Sequence, residues 1–177
     1  ELDVDGATTA YSSTGLVISN FVVADDPAKQ YDLLYSDRSI NKTAKDMKDY
    51  GADYYGGIPI MFQHALTSIH FSLKTDATET VNLLSIQLKN VKNKGTFKEN
   101  ITNETEFARN PQWTVADASE VKSYTSFTGS VEFPLNPQYV SALAALDGTD
   151  DNDVSHPLLM MPQALGNDVV VEVKYEV

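Results

Sequence analysis

Cysteine is absent from this chain of 177 residues. That excludes a disulfide framework, a thiolate nucleophile and cysteine-ligated zinc or iron–sulfur sites. It leaves the compartment open, because a chain without thiols suits oxidising and reducing surroundings alike. Positive charge is scarce: 13 Lys and Arg against 25 Asp and Glu give a net charge of −12. A surface of that sign does not hold nucleic acid or an anionic membrane by charge. No apolar run approaches the roughly 18 residues that a bilayer span needs. A leader sequence is missing as well, and the chain opens on Glu1 rather than Met. It reads as a chain whose export signal was removed.

Long amphipathic helical patterns are also missing. The best helix candidate, residues 139–146, is barely two turns long. What is present is alternation with period two. Val17, Ile18, Phe21, Val22 and Val23 form the first β-rich run, closed by Asp25, Asp26 and Pro27. Ile69, Phe71 and Leu73 alternate with His70, Ser72 and Lys74; Leu84, Ile86 and Leu88 alternate with Ser85, Gln87 and Lys89. Around the polar residues 75–80, these two runs predict an antiparallel pair with one buried face. At the end, Val169, Val171, Val173, Tyr175 and Val177 alternate with polar or outward positions. Turn signals every ten to fifteen residues complete the pattern of an all-β sandwich. A length of 177 suits one domain with a core that needs no staples. We expect a single domain over 1–177, with residues 1–30 incomplete or loosely attached. Residues 36–57 read as a long excursion loop. Ile69, Phe71, Leu73, Leu84, Ile86, Leu88, Val169, Val171, Val173 and Tyr175 are expected to face the core. Phe71→Ala is expected to cost ~3–5 kcal/mol.

Chemistry-bearing constellations are few. Of the three histidines, His64 and His70 are six apart, so an unbroken strand would put both on one face, roughly 20 Å apart and too far to share a metal. His64 reads as a structural histidine satisfying a backbone group inside the sandwich, and His70 as part of a solvated strand face. No Gly-x-Ser-x-Gly elbow or phosphate loop is present. Asp147, Asp150, Asp151 and Asp153 lack the Gly and closing Glu of a calcium loop and read as a solvated acidic turn. Asn41, Asn100 and Asn103 open sequons that matter only in a eukaryotic secretory pathway. Tyr50, Tyr54 and Tyr55 either form a sugar-stacking surface or pin their loop. We therefore assign no catalytic residue, no metal ligand and no cofactor.

Five segments in order carry a resemblance: residues 31–35 (Tyr-Asp-Leu-Leu-Tyr), 60–71 with its His64-Ala65-Leu66, 86–97 ending in Gly95-Thr96-Phe97, Trp113, and 158–177 with Pro162-Gln163. The chain resembles the fimbrillin-like proteins of Bacteroides-type bacteria, which are secreted pilus subunits and their tip or anchor relatives. The resemblance covers residues 31–177. It implies a transthyretin-like antiparallel β-sandwich of about seven to eight short strands and no enzymatic activity. It also implies lipoprotein export to the outer membrane, and polymerisation by strand exchange after an arginine-specific protease removes an N-terminal strand. The expected partners are other pilus subunits, together with a host or bacterial surface glycan or protein. Val169, Val171, Val173, Tyr175 and Val177 form the candidate assembly strand, or equally a resident strand of this domain. The family's second domain is missing, so the chain looks like a fragment covering the first. A cell-surface carbohydrate-binding module of the same architecture is the alternative.

Overall fold

The computed structural model describes residues 6–36, 60–71, 80–103, 108–116, 120–133 and 157–177. Among these residues there are thirteen strand segments and one short 3-10 turn, Pro27–Lys29. The all-β expectation holds. The strands are more numerous than the seven to eight expected, because several are ribbons of only two or three residues.

Two sheets carry the fold. The first joins β1 (Thr8–Ser12), β2 (Gly15–Val22), β7 (Lys94–Lys98) and β10 (Gln112–Val115), in the order β1-β2-β7-β10. The second places β6 (Val81–Lys92) between β11 (Val121–Phe133) and β13 (Val170–Glu176). All pairings are antiparallel. Three two-stranded ribbons complete the described structure. They are β3 (Leu34–Ser36) with β4 (Phe62–His64), β5 (Thr67–Ile69) with β12 (Leu158–Met160), and β8 (Ile101–Asn103) with β9 (Ala108–Arg109).

The two sheets bury their apolar faces in a shared core. Ile18 and Phe21 of β2, Phe97 of β7, Leu88 and Val91 of β6, Tyr124 of β11 and Leu158 of β12 belong to one cluster. Within segment 1–30, Ile18, Phe21 and Val23 are core residues. Trp113 packs between Phe21 and Phe97, with ring centroids 5.5 and 5.4 Å apart, and its indole N–H donates to the Ala65 carbonyl at 2.7 Å. A half-buried indole gains from that acceptor, since its N–H is turned away from water. A second, smaller cluster holds Leu83, Ile86 and Phe127.

Two expectations fail in an instructive way. The 69–73 and 84–88 runs do not pair with each other: β5 pairs with β12, and β6 pairs with β11 and β13. Leu73 lies outside the described residues, as do residues 37–59, 72–79 and 134–156 with the tyrosine, Asp-rich and helix-candidate segments. Leu84 does not carry the buried face of β6. Between Lys174 and Tyr175 the β13 partner jumps from Ser85 to Leu83, so Leu84 sits on a bulge. Leu83, at 1 % exposure, takes the inward position instead. A second irregularity falls at Asn90, whose φ of +64° is left-handed, and shifts the inward set from Leu88 to Val91. Asn20 and Asn100 hold the same conformation where β2 shifts register against β7 and where the chain leaves β7. Asn tolerates that region better than most residues, so two bulges and one strand exit coincide with three asparagines.

Candidate assembly surface

The C-terminal strand is half covered. Across the ladder Val171 pairs with Leu88, Val173 with Ile86 and Tyr175 with Leu83. Directly opposed residues share a face, so all three stand on the core side. Their β6 partners are buried, yet Val171 is 48 % exposed and Tyr175 60 %. Only Val173 and Val169 pack against the clusters as expected. The expectation of buried Val171 and Tyr175 is therefore corrected: alternation assigned their face, but the structure leaves that face partly uncovered. Val177 is 73 % exposed.

Beside Val171 lies an apolar groove of about 460 Å³. Ile69, Phe71, Leu88, Met160, Met161 and Val171 line it. Ile69 and Phe71 are partly buried at the core, as expected, and form one wall. Among the described residues, β13 has a strand partner only on its β6 side and β5 only on its β12 side. The groove is lined by residues of β5, β6, β12 and β13.

Side-chain amides brace the strands around the groove, and Gln163 lines it. Gln163 behaves like a strand residue at its upper end. Its Oε1 accepts the Lys92 N–H and its Nε2 donates to the Lys92 carbonyl, both at 3.0 Å. Asn90 donates to the Asp168 carbonyl at 2.7 Å and holds the turn that leads into β13. Gln30 ties the 3-10 turn to β12, accepting the Leu159 N–H at 2.7 Å while donating to the Ala24 carbonyl at 3.1 Å. None of these roles was assigned from sequence. The one available signal was Gln163 itself, lodged after Pro162 in a quoted motif. Lys89 of β6 and Glu172 of β13 form an ion pair at 2.7 Å across the same ladder. The hydrogen bond from Lys89, reinforced by Lys89 and Lys174 charge, holds the Glu172 carboxyl below its usual range.

The motifs behind the resemblance meet in space. Asp32 Oδ2 contacts His64 Nδ1 at 2.5 Å, the Ala65 N–H donates to the Leu33 carbonyl at 2.8 Å, and Tyr35 donates to Gln63 at 2.7 Å. The two segments stitch β3 to β4. His64 is exposed and pairs with a carboxylate, so the expectation of an interior histidine satisfying a backbone group is corrected. Its neighbours Ala65 and Leu66 supply the buried part of the motif. The bend at Ala65-Leu66 breaks the run between His64 and His70, and His70 meets Ser68 at 2.8 Å instead. Among the described residues, no three His, Asp or Glu side chains gather at a point that could hold a metal ion. Burial, with the Asp25 charge nearby, pushes the Tyr124 phenol well above its ordinary value, so Tyr124 stays a neutral core residue.

These features define an antiparallel all-β protein with an apolar groove lined by residues of β5, β6, β12 and β13. A family model described as fimbrillin-like matches residues 5–176, and the chain belongs to that family. No curated protein and no solved structure matches it significantly. Membership supports a role as a fimbrial subunit, a location at the cell surface and other pilus subunits as partners. The family is one of structural pilus subunits rather than enzymes. No helix among the described residues is long and apolar enough to cross a membrane.

Proposed function

We propose that this chain is a pilus-subunit domain that joins its neighbours by β-strand complementation, and that the groove beside Val171 receives the incoming strand. The observation that carries this reading is the state of β13. Val171 stands on the core side of the sheet, opposite the buried Leu88, and is nevertheless 48 % exposed. A strand from a neighbouring subunit laid along the groove would hydrogen-bond to an open edge and bury Ile69, Phe71 and Val171 together. Main-chain bonds then supply adhesion, and the pockets for alternate side chains supply selectivity. The residues Val169, Val171, Val173, Tyr175 and Val177 thus belong to the assembly machinery as its resident edge. A transthyretin-like single domain, export as a lipoprotein precursor and anchorage to the outer membrane complete the reading.

The test uses the full-length mature protein that contains this chain. Treatment with an arginine-specific protease, followed by an unboiled denaturing gel, is expected to yield a ladder of stable multimers. Clean cleavage without a ladder would overturn strand complementation and direct attention to the surface carbohydrate-binding alternative through a glycan screen.

A further inference from the structure

We propose that the free edge of β1 pairs with β1 of a second copy of this chain, in antiparallel register about Ala10. This goes beyond the groove, which lies against the other sheet.

β1 is the terminal strand of the four-stranded sheet, and all five of its residues are exposed, Tyr11 at 82 %. Its backbone direction follows from its neighbour. Leu16 donates its N–H to the Glu99 carboxylate at 2.9 Å, and its carbonyl accepts the Glu99 N–H at 2.9 Å. Leu16 therefore turns its backbone groups away from β1. In an antiparallel ladder such a residue faces a partner whose groups also turn away. That partner is Tyr11, and Thr9 opposite Ile18 follows by alternation. The N–H and C=O of Thr9 and Tyr11 thus point outward, without a strand to meet them among the described residues.

Two other edges of the larger sheets are guarded and this one is not; the edge of β13, with Glu172, Lys174 and Glu176, is the one assigned above to the incoming strand. β11 carries Lys122 and Glu132 and three register shifts. β10 is four residues long and follows Pro111. Charge, proline and bulges are the devices that keep edges from pairing. β1, with Thr8, Thr9, Ala10, Tyr11 and Ser12, has none of them.

The sequence of β1 is self-complementary when reversed. A two-fold axis at Ala10 sets Thr9 against Tyr11 of the second copy and Thr8 against Ser12. It also matches outward-pointing residues with outward-pointing residues, the requirement for hydrogen bonding. Aromatic against β-branched and hydroxyl against hydroxyl are favourable cross-strand pairs. The two four-stranded sheets would merge into one of eight. Each copy carries a charge of −12, so repulsion opposes the pairing and salt strengthens it.

The absence of native cysteine makes the test direct. Ala10→Cys places two thiols across a non-hydrogen-bonded pair, within disulfide reach, whereas Thr8→Cys on the same face opposes Ser12. Under mild oxidation Ala10→Cys is expected to give a homodimer in roughly tenfold higher yield than Thr8→Cys. In sedimentation velocity at about 0.5 M salt, the native chain should self-associate, and Ala10→Lys should weaken this about tenfold by setting like charges face to face. Equal yields for the two cysteine variants, a native chain that stays monomeric, or a dimer indifferent to Ala10→Lys would each overturn the proposal. Both positions, Thr8 and Ala10, are exposed, so unchanged thermal melts verify that the three variants fold.

Discussion

The Glu99 carboxylate occupies the space that a side chain on Gly15 would need. A Cβ on Gly15 would lie 2.5 Å from Glu99 Oε2, the same oxygen that accepts the Leu16 N–H at 2.9 Å. Gly15 also holds a left-handed φ of +100°. The turn between β1 and β2 is thereby clamped onto the end of β7 by a buried acid 83 residues further along the chain. Gly15→Ala should cost at least about 2 kcal/mol, from backbone strain and from displacing the carboxylate. Glu99→Ala should cost ~1–3 kcal/mol by leaving the Leu16 N–H without this acceptor. The two effects share an atom, so urea titrations of the singles and the double variant should show a double mutant less damaged than the sum, by ~0.5–3 kcal/mol. Strict additivity would mean that the close approach is relieved some other way.

Core phenylalanines should separate by burial. Phe97 is 1 % exposed and touches the rings of Tyr35 and Trp113 at centroid distances of 5.0 and 5.4 Å. Phe97→Ala is expected to cost ~3–5 kcal/mol through the cavity it leaves. Phe71, which the sequence placed in that class, lines the groove and is only partly buried. Phe71→Ala should fall below Phe97→Ala, measured as a smaller loss in denaturant midpoint. Equal losses would mean that the groove wall is as tightly packed as the core.

This contrast shows what alternation can and cannot say. Period two assigned Ile86 and Leu88 to the buried face, and the strand content followed from such runs. Alternation reports a face, though, and not what covers it, so Val171 and Tyr175 were given the right side of the sheet and the wrong exposure. Nor does it register bulges: one left-handed residue, Asn90, and one unpaired position, Leu84, moved the inward set of β6 by a step each. Pairing partners were illegible for a different reason. β6 joins β11 and β13 rather than the run next to it in sequence, and that choice is made by long-range burial. Gln163 was visible as a motif residue, but its imitation of a strand backbone depends on Lys92, 71 residues away.

Gln163 should act as a graft on the ladder. Its amide meets both backbone groups of Lys92 at 3.0 Å. Gln163→Leu keeps much of the volume and loses both bonds, so it should destabilise by ~1–3 kcal/mol. Hydrogen exchange offers the sharper readout: the Lys92 amide should lose protection while the Val91 amide changes less. If Lys92 stays protected in Gln163→Leu, another group accepts its N–H.

The attachment of β13 should weaken in acid. Glu172 is held below the ordinary glutamate value of 4.5 chiefly by the hydrogen bond from Lys89. A carboxyl with a lower value in the folded state adds stability above its unfolded value and loses it as pH falls through the folded one. Stability contributed by the pair is thus complete above about pH 5 and fades below pH 4.5. Glu172→Gln should flatten the melting-temperature profile in that window and leave it unchanged in shape near neutrality. Because both partners are partly exposed, the difference should shrink in high salt. An identical acid profile in the variant would show that Glu172 takes no part.

Val171 provides the discriminating variant for assembly. It is 48 % exposed and lines the groove next to Leu88, so a charged residue there has water to reach in the isolated chain. Val171→Asp should therefore change the thermal midpoint of the isolated chain only slightly. In a polymer the same position would be covered by the incoming strand, and burying an unpaired carboxylate costs several kcal/mol. The full-length protein carrying Val171→Asp should consequently fold, undergo protease cleavage like the native protein and fail to form the multimer ladder. Val171→Ile, which adds apolar volume, should leave the ladder intact. Ala10→Lys acts on the opposite sheet and should spare the ladder too, which separates complementation in the groove from pairing at the β1 edge. A full ladder from Val171→Asp would place the incoming strand elsewhere, because no packed strand–strand interface accommodates an unpaired charge at its centre without loss of affinity.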